Sequence, residues 1–292
     1  MIELTGHRGL VVALAYSPDG RTLASASADG TARLWDLTSG KLTATQQSPA
    51  ARAYCVAFSP DGKLLAVGYG EPLGLVQICG VDPPGQLERW AANASVTRGV
   101  AFSPDGWTVA TAGDAWALQI WQIAGNGRDR QLPVARFSTT SAVAFSPDGR
   151  FVAAVMARPA AVRVWQTADG KPYRTLKKAS DWGYSIAFNP SGDRLGVGLE
   201  RTIAVWNHSD YRPPQIWPAH AGAVLGVAFT PDGETLLTGG ADGLVKLWDP
   251  AGRLRHSFDW KIGEVAAVAF APDGLTAAAG GYETILVWDV GE

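Results

Sequence analysis

Histidine, a hydroxyl residue and aspartate recur together at two places in the sequence, and these residue types can form the triad of a hydrolase. Both sets have 22 residues from histidine to aspartate and a tryptophan six residues later. They are His7, Ser25, Asp29 and Trp35, and His220, Thr238, Asp242 and Trp248. A catalytic site needs one convergent set of residues, and a second copy elsewhere in the chain does not provide it. We therefore interpret both sets as structural.

The rest of the sequence offers little for metal binding or covalent catalysis. His208, His256, Cys55 and Cys79 do not have the spacing of a zinc site. We place the two cysteines two strands apart, about 9–10 Å, which exceeds the roughly 7 Å limit of a disulfide. We expect both to be buried free thiols. Without a phosphate-binding loop, nucleophile elbow or dinucleotide fingerprint, the sequence predicts no metal, no cofactor and no enzymatic activity.

Composition and charge describe a folded protein without a cationic surface. The chain has 292 residues, of which 47% are hydrophobic and 18% are charged, with a net charge of −2. This balance is typical of a globular protein and leaves no basic field for nucleic-acid phosphates or an anionic membrane. The sequence has no apolar run near the roughly 20 residues of a membrane span and no visible secretory signal. We expect a cytoplasmic protein that binds neither nucleic acid nor membranes.

A turn of the type Ser-Pro-Asp-Gly ends a short apolar run at seven places. The prolines follow one another at steps of 42, 44, 43, 43, 41 and 41 residues. They are Pro18, Pro60, Pro104, Pro147, Pro190, Pro231 and Pro272. A period in the forties, with Gly/Pro turns and short β-rich runs, predicts a repeated four-stranded unit. Because the repeat extends from end to end, we predict one closed all-β domain over residues 1–292.

The strands of each unit can be read from the sixth copy. Residues 223–229 predict a first strand, 235–239 a second, 244–248 a third and 253–258 a looser fourth. In six copies the third strand ends in tryptophan followed by Asp, Asn or Gln, and in the second copy Cys79 replaces the tryptophan. The six tryptophans are Trp35, Trp121, Trp165, Trp206, Trp248 and Trp288.

This repeat resembles that of the WD-repeat (WD40) family, and the resemblance covers essentially the whole chain. In the first copy it is carried by Gly6-His7, Ser17-Pro18-Asp19-Gly20, Asp29-Gly30 and Leu34-Trp35-Asp36. The resemblance implies a seven-bladed β-propeller of four-stranded antiparallel blades. It also implies that the two sets described above are hydrogen-bonded tetrads that tie turns to strands. The regular turns look like those of bacterial WD-repeat proteins, where such a ring often supplies the sensor or targeting part of a longer signalling protein.

The two ends of the chain complete the last unit. Three residues follow Trp288-Asp289, so the seventh repeat lacks its fourth strand, whereas Ile2-Glu3-Leu4-Thr5 precedes the first repeat and matches one. We predict that residues 1–5 form the outer strand of blade 7 and close the ring. Whether the chain is a complete protein or a domain of a longer one stays open at this point.

Partner binding is expected on the face where the loops from fourth to first strand and from second to third strand emerge, the commonest partner site in WD-repeat proteins. Exposed Trp, Tyr and Arg side chains dominate binding hot spots, which puts Trp182 first among the candidates. The candidate residues are Arg8, Arg52, Arg158, Asp181, Trp182, Tyr184, Trp260 and Glu264. The alternative is that Trp182 and Trp260 cap blades 5 and 7, which lack the tetrad histidine.

Three functions are compatible with these observations. The first is a non-catalytic, monomeric scaffold that binds a protein or peptide across this face. It acts either by itself or as the sensor or targeting domain of a larger bacterial signalling protein. The second is a small-ligand binder or enzyme that uses the central channel, where Arg98 and Tyr184 interrupt otherwise small, apolar inner strands. The third is a structural subunit of a larger assembly. We favour the first, because the inner strands lack converging polar groups.

Overall fold

The protein is all-β. The structure is a computed structural model that describes residues 1–47, 52–70, 74–93, 95–114, 117–123, 128–133, 139–157, 161–177, 182–210 and 212–291. Within these ranges it contains strands and no helix, and thus no helical segment with the length and apolar character of a membrane span. The antiparallel, four-stranded organisation that the repeats predict is confirmed.

Five sheets in the described chain contain four antiparallel strands each. We number them blades 2 to 6. Blade 2 comprises β5 (Ala53–Phe58), β6 (Leu64–Tyr69), β7 (Gly74–Val81) and β8 (Pro84–Asn93), and blade 3 comprises β9 (Thr97–Phe102), β10 (Thr108–Gly113), β11 (Ala117–Gln122) and β12 (Arg128–Pro133). Blade 4 comprises β13 (Thr140–Phe145), β14 (Phe151–Met156), β15 (Ala161–Gln166) and β16 (Pro172–Lys177). Blade 5 comprises β17 (Gly183–Phe188), β18 (Arg194–Leu199), β19 (Thr202–Asn207) and β20 (Gln215–Pro218), and blade 6 comprises β21 (Val224–Phe229), β22 (Leu236–Gly240), β23 (Val245–Trp248) and β24 (Leu254–Phe258).

A further sheet has seven strands because its β1 belongs to two blades. Blade 1 comprises β1 (Ile2–Tyr16), β2 (Thr22–Ser27), β3 (Thr31–Asp36) and β4 (Lys41–Gln47), and blade 7 comprises β25 (Ala267–Phe270), β26 (Thr276–Gly280) and β27 (Tyr282–Asp289). The first residues of β1 pair with β27, with Ile2 opposite Val287, whereas its second half pairs with β2. The prediction that the N-terminal strand completes the last blade and closes the ring is therefore confirmed.

Contacts between successive blades run around the whole ring. The first strands of neighbouring blades contact one another, and β25 of blade 7 contacts β1. The glycine of each Ser-Pro-Asp-Gly turn lies against the proline of the preceding turn, from Gly62 on Pro18 through to Gly20 on Pro272. These glycines have positive φ, which other residues adopt only with strain. We name this end of the blades the turn face, and the opposite end the hairpin face.

The core consists of apolar layers between neighbouring sheets. Leu118 and Ile120 of blade 3, for example, share a buried cluster with Val152 and Trp165 of blade 4. Outer-strand tryptophans also cross between blades: Trp90 of blade 2 packs on Trp121 of blade 3, and Trp217 of blade 5 on Trp248 of blade 6, with ring centroids 5.5 and 6.4 Å apart. Each blade is thus stabilised by its neighbours, as the repeat architecture requires.

Blade 2 accommodates the loss of its third-strand tryptophan with a second substitution. Cys79 is buried where the tryptophan of the other blades stands, and the fully buried Tyr69 packs in the same cluster. Cys55 is also buried, and both cysteines are free. Burial raises the pKa of Cys55 to about 12 and that of Cys79 to about 11. The expectation of buried free thiols is confirmed.

Candidate partner-binding surface

Blade 1 contains a continuous chain of hydrogen bonds from its strands to its hairpin. Nε1 of Trp35 donates to Oγ of Ser25 over 2.8 Å, and this oxygen lies 2.7 Å from Nε2 of His7. Nδ1 of His7 lies 2.9 Å from Oδ2 of Asp29. Since the serine oxygen accepts from the indole, its proton is left for Nε2, and the neutral imidazole donates to Asp29. Ser25 has no exposed surface, so it cannot attack a substrate.

Blade 6 repeats this geometry. Nδ1 of His220 lies 2.8 Å from Asp242, Nε2 lies 2.9 Å from Oγ1 of Thr238, and Nε1 of Trp248 donates to the same oxygen over 2.9 Å. The backbone N–H of Ala221 also donates to Asp242 over 2.8 Å. The aspartate therefore fixes the loop that precedes the inner strand, and the arrangement supports the hairpin face without offering a reactive group to it.

The other blades replace this polar chain in part or altogether. Thr111 of blade 3 accepts from Nε1 of Trp121 over 3.0 Å. The strand register places apolar residues at the corresponding position of the remaining blades: Val67, Ala154, Val197 and Ala279.

In blade 7, Trp260 covers the third-strand tryptophan. Nε1 of Trp288 is buried without a hydrogen-bond partner in the described chain. The half-buried ring of Trp260 packs on Trp288 with centroids 4.6 Å apart, and Phe258 stacks on Trp260 at 5.0 Å and lies 6.2 Å from Trp288. These contacts favour the capping alternative for Trp260 over a contact with a partner.

The inner strands of blades 1 to 6 each carry a β-bulge near the hairpin face. The bulged residue is left out of the pairing, and in each blade its side chain keeps access to solvent. The bulged residues are Val12, Tyr54, Arg98, Ser141, Tyr184 and Leu225. Since the inner strands surround the axis of the ring, we place these side chains around the mouth of the central channel.

Polar and aromatic groups meet at this mouth between blades 2 and 3. Nε of Arg98 lies 3.1 Å from Oδ1 of Asp114, and its Cζ lies 5.9 Å from the centroid of the Tyr54 ring. Ser95 donates to the other carboxylate oxygen over 2.9 Å. Burial acts to raise the pKa of Asp114, but hydrogen bonds from Arg98 and Ser95 hold it below its usual value. This cluster presents a cation, a carboxylate and an aromatic ring on fixed backbone.

Blade 5 presents a second group of this kind. Trp182, which precedes β17, exposes 40% of its surface. Tyr184 follows at the bulge, where burial raises its pKa and the nearby carboxylate of Glu200 raises it further. The pairing of Gly183 with Leu199 places Glu200 at the start of the hairpin. An indole, a phenol and a carboxylate therefore lie on adjoining loops of one blade.

The remaining candidates are spread around the face. Arg8, Arg52 and Glu264 are exposed on blades 1, 2 and 7, whereas Asp181 and Arg158 lie outside the described residues. The backbone N–H of Ala157 donates to Thr139 as that of Ala28 donates to Leu10. Ala157 therefore occupies the position before the hairpin in blade 4.

Four residues of these clusters were not among the candidates of the sequence analysis: Tyr54, Ser95, Asp114 and Glu200. Tyr54 stands two residues after Arg52, as Tyr184 stands two after Trp182. Reading that column of the repeats as the bulge position would have identified it. Glu200 was missed because the hairpin of blade 5 is one residue shorter than that of blade 1. In the described part of the chain, no group of three His, Cys, Asp or Glu residues is arranged to hold a metal.

Comparison with known proteins agrees with this architecture. Residues 1–36, 40–71 and 211–249 match the family model described as WD domain, G-beta repeat. An uncharacterized WD repeat-containing protein of Synechocystis sp. is 34% identical over 123 residues, which are 42% of this chain and 34% of that protein. The small ribosomal subunit protein RACK1y of Oryza sativa subsp. japonica is 28% identical over 129 residues, 43% of this chain and 38% of that protein.

A third relative extends over more of the chain. The transcriptional corepressor LEUNIG_HOMOLOG of Arabidopsis thaliana is 24% identical over 210 residues, which are 69% of this chain and 25% of that protein. The chain thus spans well under two thirds of the length of each of these relatives. Relatives of this kind indicate a protein-interaction scaffold in general. The recurring turns, the four-stranded sheets and these matches support membership of the WD-repeat family.

Proposed function

We propose that this protein is a non-catalytic scaffold that binds a protein or peptide at the hairpin face, around the mouth of the central channel. The observation that carries the proposal is the bulge in the inner strands. It leaves Tyr54, Arg98 and Tyr184 outside the backbone pairing with the second strand, with their side chains accessible to solvent beside Asp114 and Glu200. Aromatic and arginine side chains of this kind supply most of the energy of protein interfaces.

The rigidity of the ring supports this function. Arg98 is already oriented by Asp114 and by the Tyr54 ring, so binding orders little of the receptor and loses little entropy. The mixed charges, with Arg98, Arg52 and Arg8 against Glu200 and Glu264, favour a partner segment that carries both signs and an apolar anchor beside Trp182. The proposal includes a monomeric ring in the cytoplasm and use as the sensor or targeting part of a larger bacterial signalling protein.

The test compares affinity capture from the host lysate by three baits. These are the wild type, a hairpin-face variant Trp182→Ala with Arg98→Ala, and a control variant Trp107→Ala. Trp107 is 70% exposed and follows the turn at Pro104, so the control removes a tryptophan from the turn face. All baits must first melt at the same temperature. Proteins retained by the control and lost from the hairpin-face variant support the proposal. Loss from the control alone, or equal capture by all three, contradicts it.

A further inference from the structure

Among the described residues, clefts of about 300 Å³ or more open on the turn face between three pairs of neighbouring blades. The cleft between blades 1 and 2 has a volume of about 600 Å³ and is lined by four aspartates with Arg21 and Lys63. The cleft between blades 3 and 4, about 300 Å³, is lined by Asp105 and Asp148 and no basic residue. The cleft between blades 5 and 6, about 440 Å³, is lined by Arg194 and Arg212 against one carboxylate, Asp210. We name this last one the arginine cleft.

The charge of the arginine cleft arises from two substitutions in the repeat. Arg194 pairs with Asn207 across β18 and β19, as Thr22 pairs with Asp36 in blade 1. The other blades have threonine or an apolar residue in the column of Arg194: Thr22, Leu64, Thr108, Phe151, Thr235 and Thr276. Blade 5 thus gains a cation where its counterparts are neutral, and loses the carboxylate that blades 1, 6 and 7 carry after tryptophan. Both changes make the cleft more positive.

The side-chain hydrogen-bond donors of this cleft have no partner among the described residues. In the described part of the chain, neither guanidinium makes a hydrogen bond or an ion pair within 4 Å, although both arginines are exposed. Oδ1 of Asn207 accepts from the backbone and hydroxyl of Ser209, which leaves its amide nitrogen as a donor. The Gln215 amide lines the same cleft. Four side chains therefore offer N–H groups to one cavity.

The nearby carboxylates are committed to their own loops. Oδ1 of Asp210 accepts from the backbone of Arg212 over 3.0 Å. Asp193, which interacts electrostatically with Arg194, accepts from Asn189 and Ser191. Asp249, beside Arg194 in an adjoining small cavity, accepts from the backbone of Arg253. None of them forms an ion pair with Arg194 or Arg212 within 4 Å.

We propose that the arginine cleft is a binding site for a phosphate monoester. Planar guanidinium groups bind phosphate oxygens in a bidentate manner, and two of them balance the charge of about −1.5 to −2 that a phosphate monoester carries at pH 7. A single carboxylate would leave one arginine unmatched. The site lies on the turn face and is separate from the proposed partner surface on the hairpin face. The phosphate can belong to a phosphorylated protein segment or to a free metabolite.

The test is calorimetric titration of the full chain with two probes. The first is inorganic phosphate, and the second is a short peptide with a central phosphoserine, with its unphosphorylated form as reference. The site variant is Arg194→Gln with Arg212→Gln. The control variant is Arg21→Gln with Lys63→Gln, which removes two positive charges from the acidic cleft on the same face. All three proteins must have the same melting temperature.

The proposal expects saturable binding of a phosphorylated probe to the wild type and to the control variant, and at least about tenfold weaker binding to the site variant, because charge-assisted hydrogen bonds are lost. Tighter binding of the phosphopeptide than of phosphate identifies a protein segment as the source. Equal or weaker binding of the phosphopeptide identifies a free metabolite. Two results overturn the proposal: unchanged binding in the site variant, and no binding of either probe at about 10 mM.

Discussion

Blades 1 and 7 share a strand but stabilise their third-strand tryptophans in different ways. In blade 1, Nε1 of Trp35 begins a buried polar chain that runs through Ser25 and His7. In blade 7, Nε1 of Trp288 has no partner in the described chain, and the ring of Trp260 packs against it. The same backbone geometry is thus maintained once by directional hydrogen bonds and once by aromatic packing.

The difference teaches what the tetrad contributes. A buried indole N–H without a partner costs free energy, and the stacked rings of Phe258 and Trp260 offset this cost by removing apolar surface from water. Hydrogen bonding is therefore one way to order the hairpin face of a blade, and aromatic packing is another. Blade 1 should therefore be destabilised more by the loss of a polar group, and blade 7 more by the loss of an apolar group.

The largest effect is expected from the strand that both blades share. Deleting residues 1–5 removes the outer strand of blade 7, including Leu4, which is 1% exposed and belongs to the cluster of Trp35 and Ile285. We expect the free energy of unfolding to fall by more than about 4 kcal/mol, since burial of one such leucine is worth about 2–5 kcal/mol and the pairing with β27 is lost as well. Urea unfolding measures this. Removal of Met1 alone, which is 78% exposed, is the control, and equal stability of the two proteins would show that closure contributes nothing.

The next largest effect on stability is expected from the aromatic packing of Trp260 in blade 7. Trp260→Ala should lower the free energy of unfolding by about 2–3 kcal/mol, because a half-buried ring loses less than the 3–5 kcal/mol of a fully buried one. Trp182→Ala, which removes a more exposed tryptophan from the same face, should cost less than about 1 kcal/mol. Chemical denaturation of both variants decides the point. If Trp260→Ala were as stable as the wild type, Trp260 would be free to serve a partner instead.

The hydrogen-bond chain of blade 1 can be interrupted at Ser25, which links Trp35 to His7. Ser25→Ala leaves Nε1 of Trp35 and Nε2 of His7 without a partner, and we expect a loss of about 2 kcal/mol, within the 1–3 kcal/mol range for an unsatisfied buried group. Ser25→Thr restores the hydroxyl that Thr238 supplies in blade 6 and should recover most of the loss. A threonine variant as unstable as the alanine variant would mean that volume, not hydrogen bonding, governs this site.

The two regions also show what the sequence can predict. The pairing of residues 2–5 with β27 and the third-strand role of Trp35 follow from spacing alone, because the repeat presents each position several times. The role of Trp260 does not follow, since a tryptophan near a loop can equally be exposed, and only the distances to Trp288 and Phe258 distinguish the cases.

The bulge residues and the arginine cleft illustrate the same limit. A bulge is not marked by any one residue type and shows only as a column of the repeats, so Tyr54 was missed although its neighbour Arg52 was among the candidates. Arg194 was not among the candidates, because its place opposite Asn207 is set by the strand register. The repeats reveal the average blade, whereas both proposed sites consist of departures from that average.

A smaller effect is the pH dependence of stability that arises from the tetrad histidines of blades 1 and 6. Burial lowers the pKa of His7 and of His220, and it outweighs the hydrogen bonds to aspartate, which raise it. At pH values below the usual histidine pKa of 6.5, the unfolded chain therefore binds more protons than the folded chain. The free energy of unfolding must decrease as the pH falls. Unfolding free energies should decline between about pH 7.5 and 5.5.

The matched variant is His7→Gln with His220→Gln. It should be less stable at the higher pH, because the hydrogen bonds of both tetrads are lost, and should change less across the interval, because the two imidazoles with a lowered pKa are absent. An equal decline in wild type and variant would assign the pH dependence to other groups.

The smallest effect is a gain in blade 7. Ala279 occupies the position of Ser25 and Thr238, so Ala279→Ser offers Nε1 of Trp288 the acceptor that it lacks. In blade 6 the corresponding hydroxyl also lies 3.4 Å from the carbonyl of Lys246, and the register gives Leu286 that place in blade 7. The new hydroxyl thus has a partner for its proton as well as for its lone pair. We expect a gain of about 0.5–1 kcal/mol, measured by urea unfolding. A lower free energy of unfolding would instead show that the ring of Trp260 leaves no space for the hydroxyl. Hydrogen bonding and aromatic packing would then exclude each other within one blade.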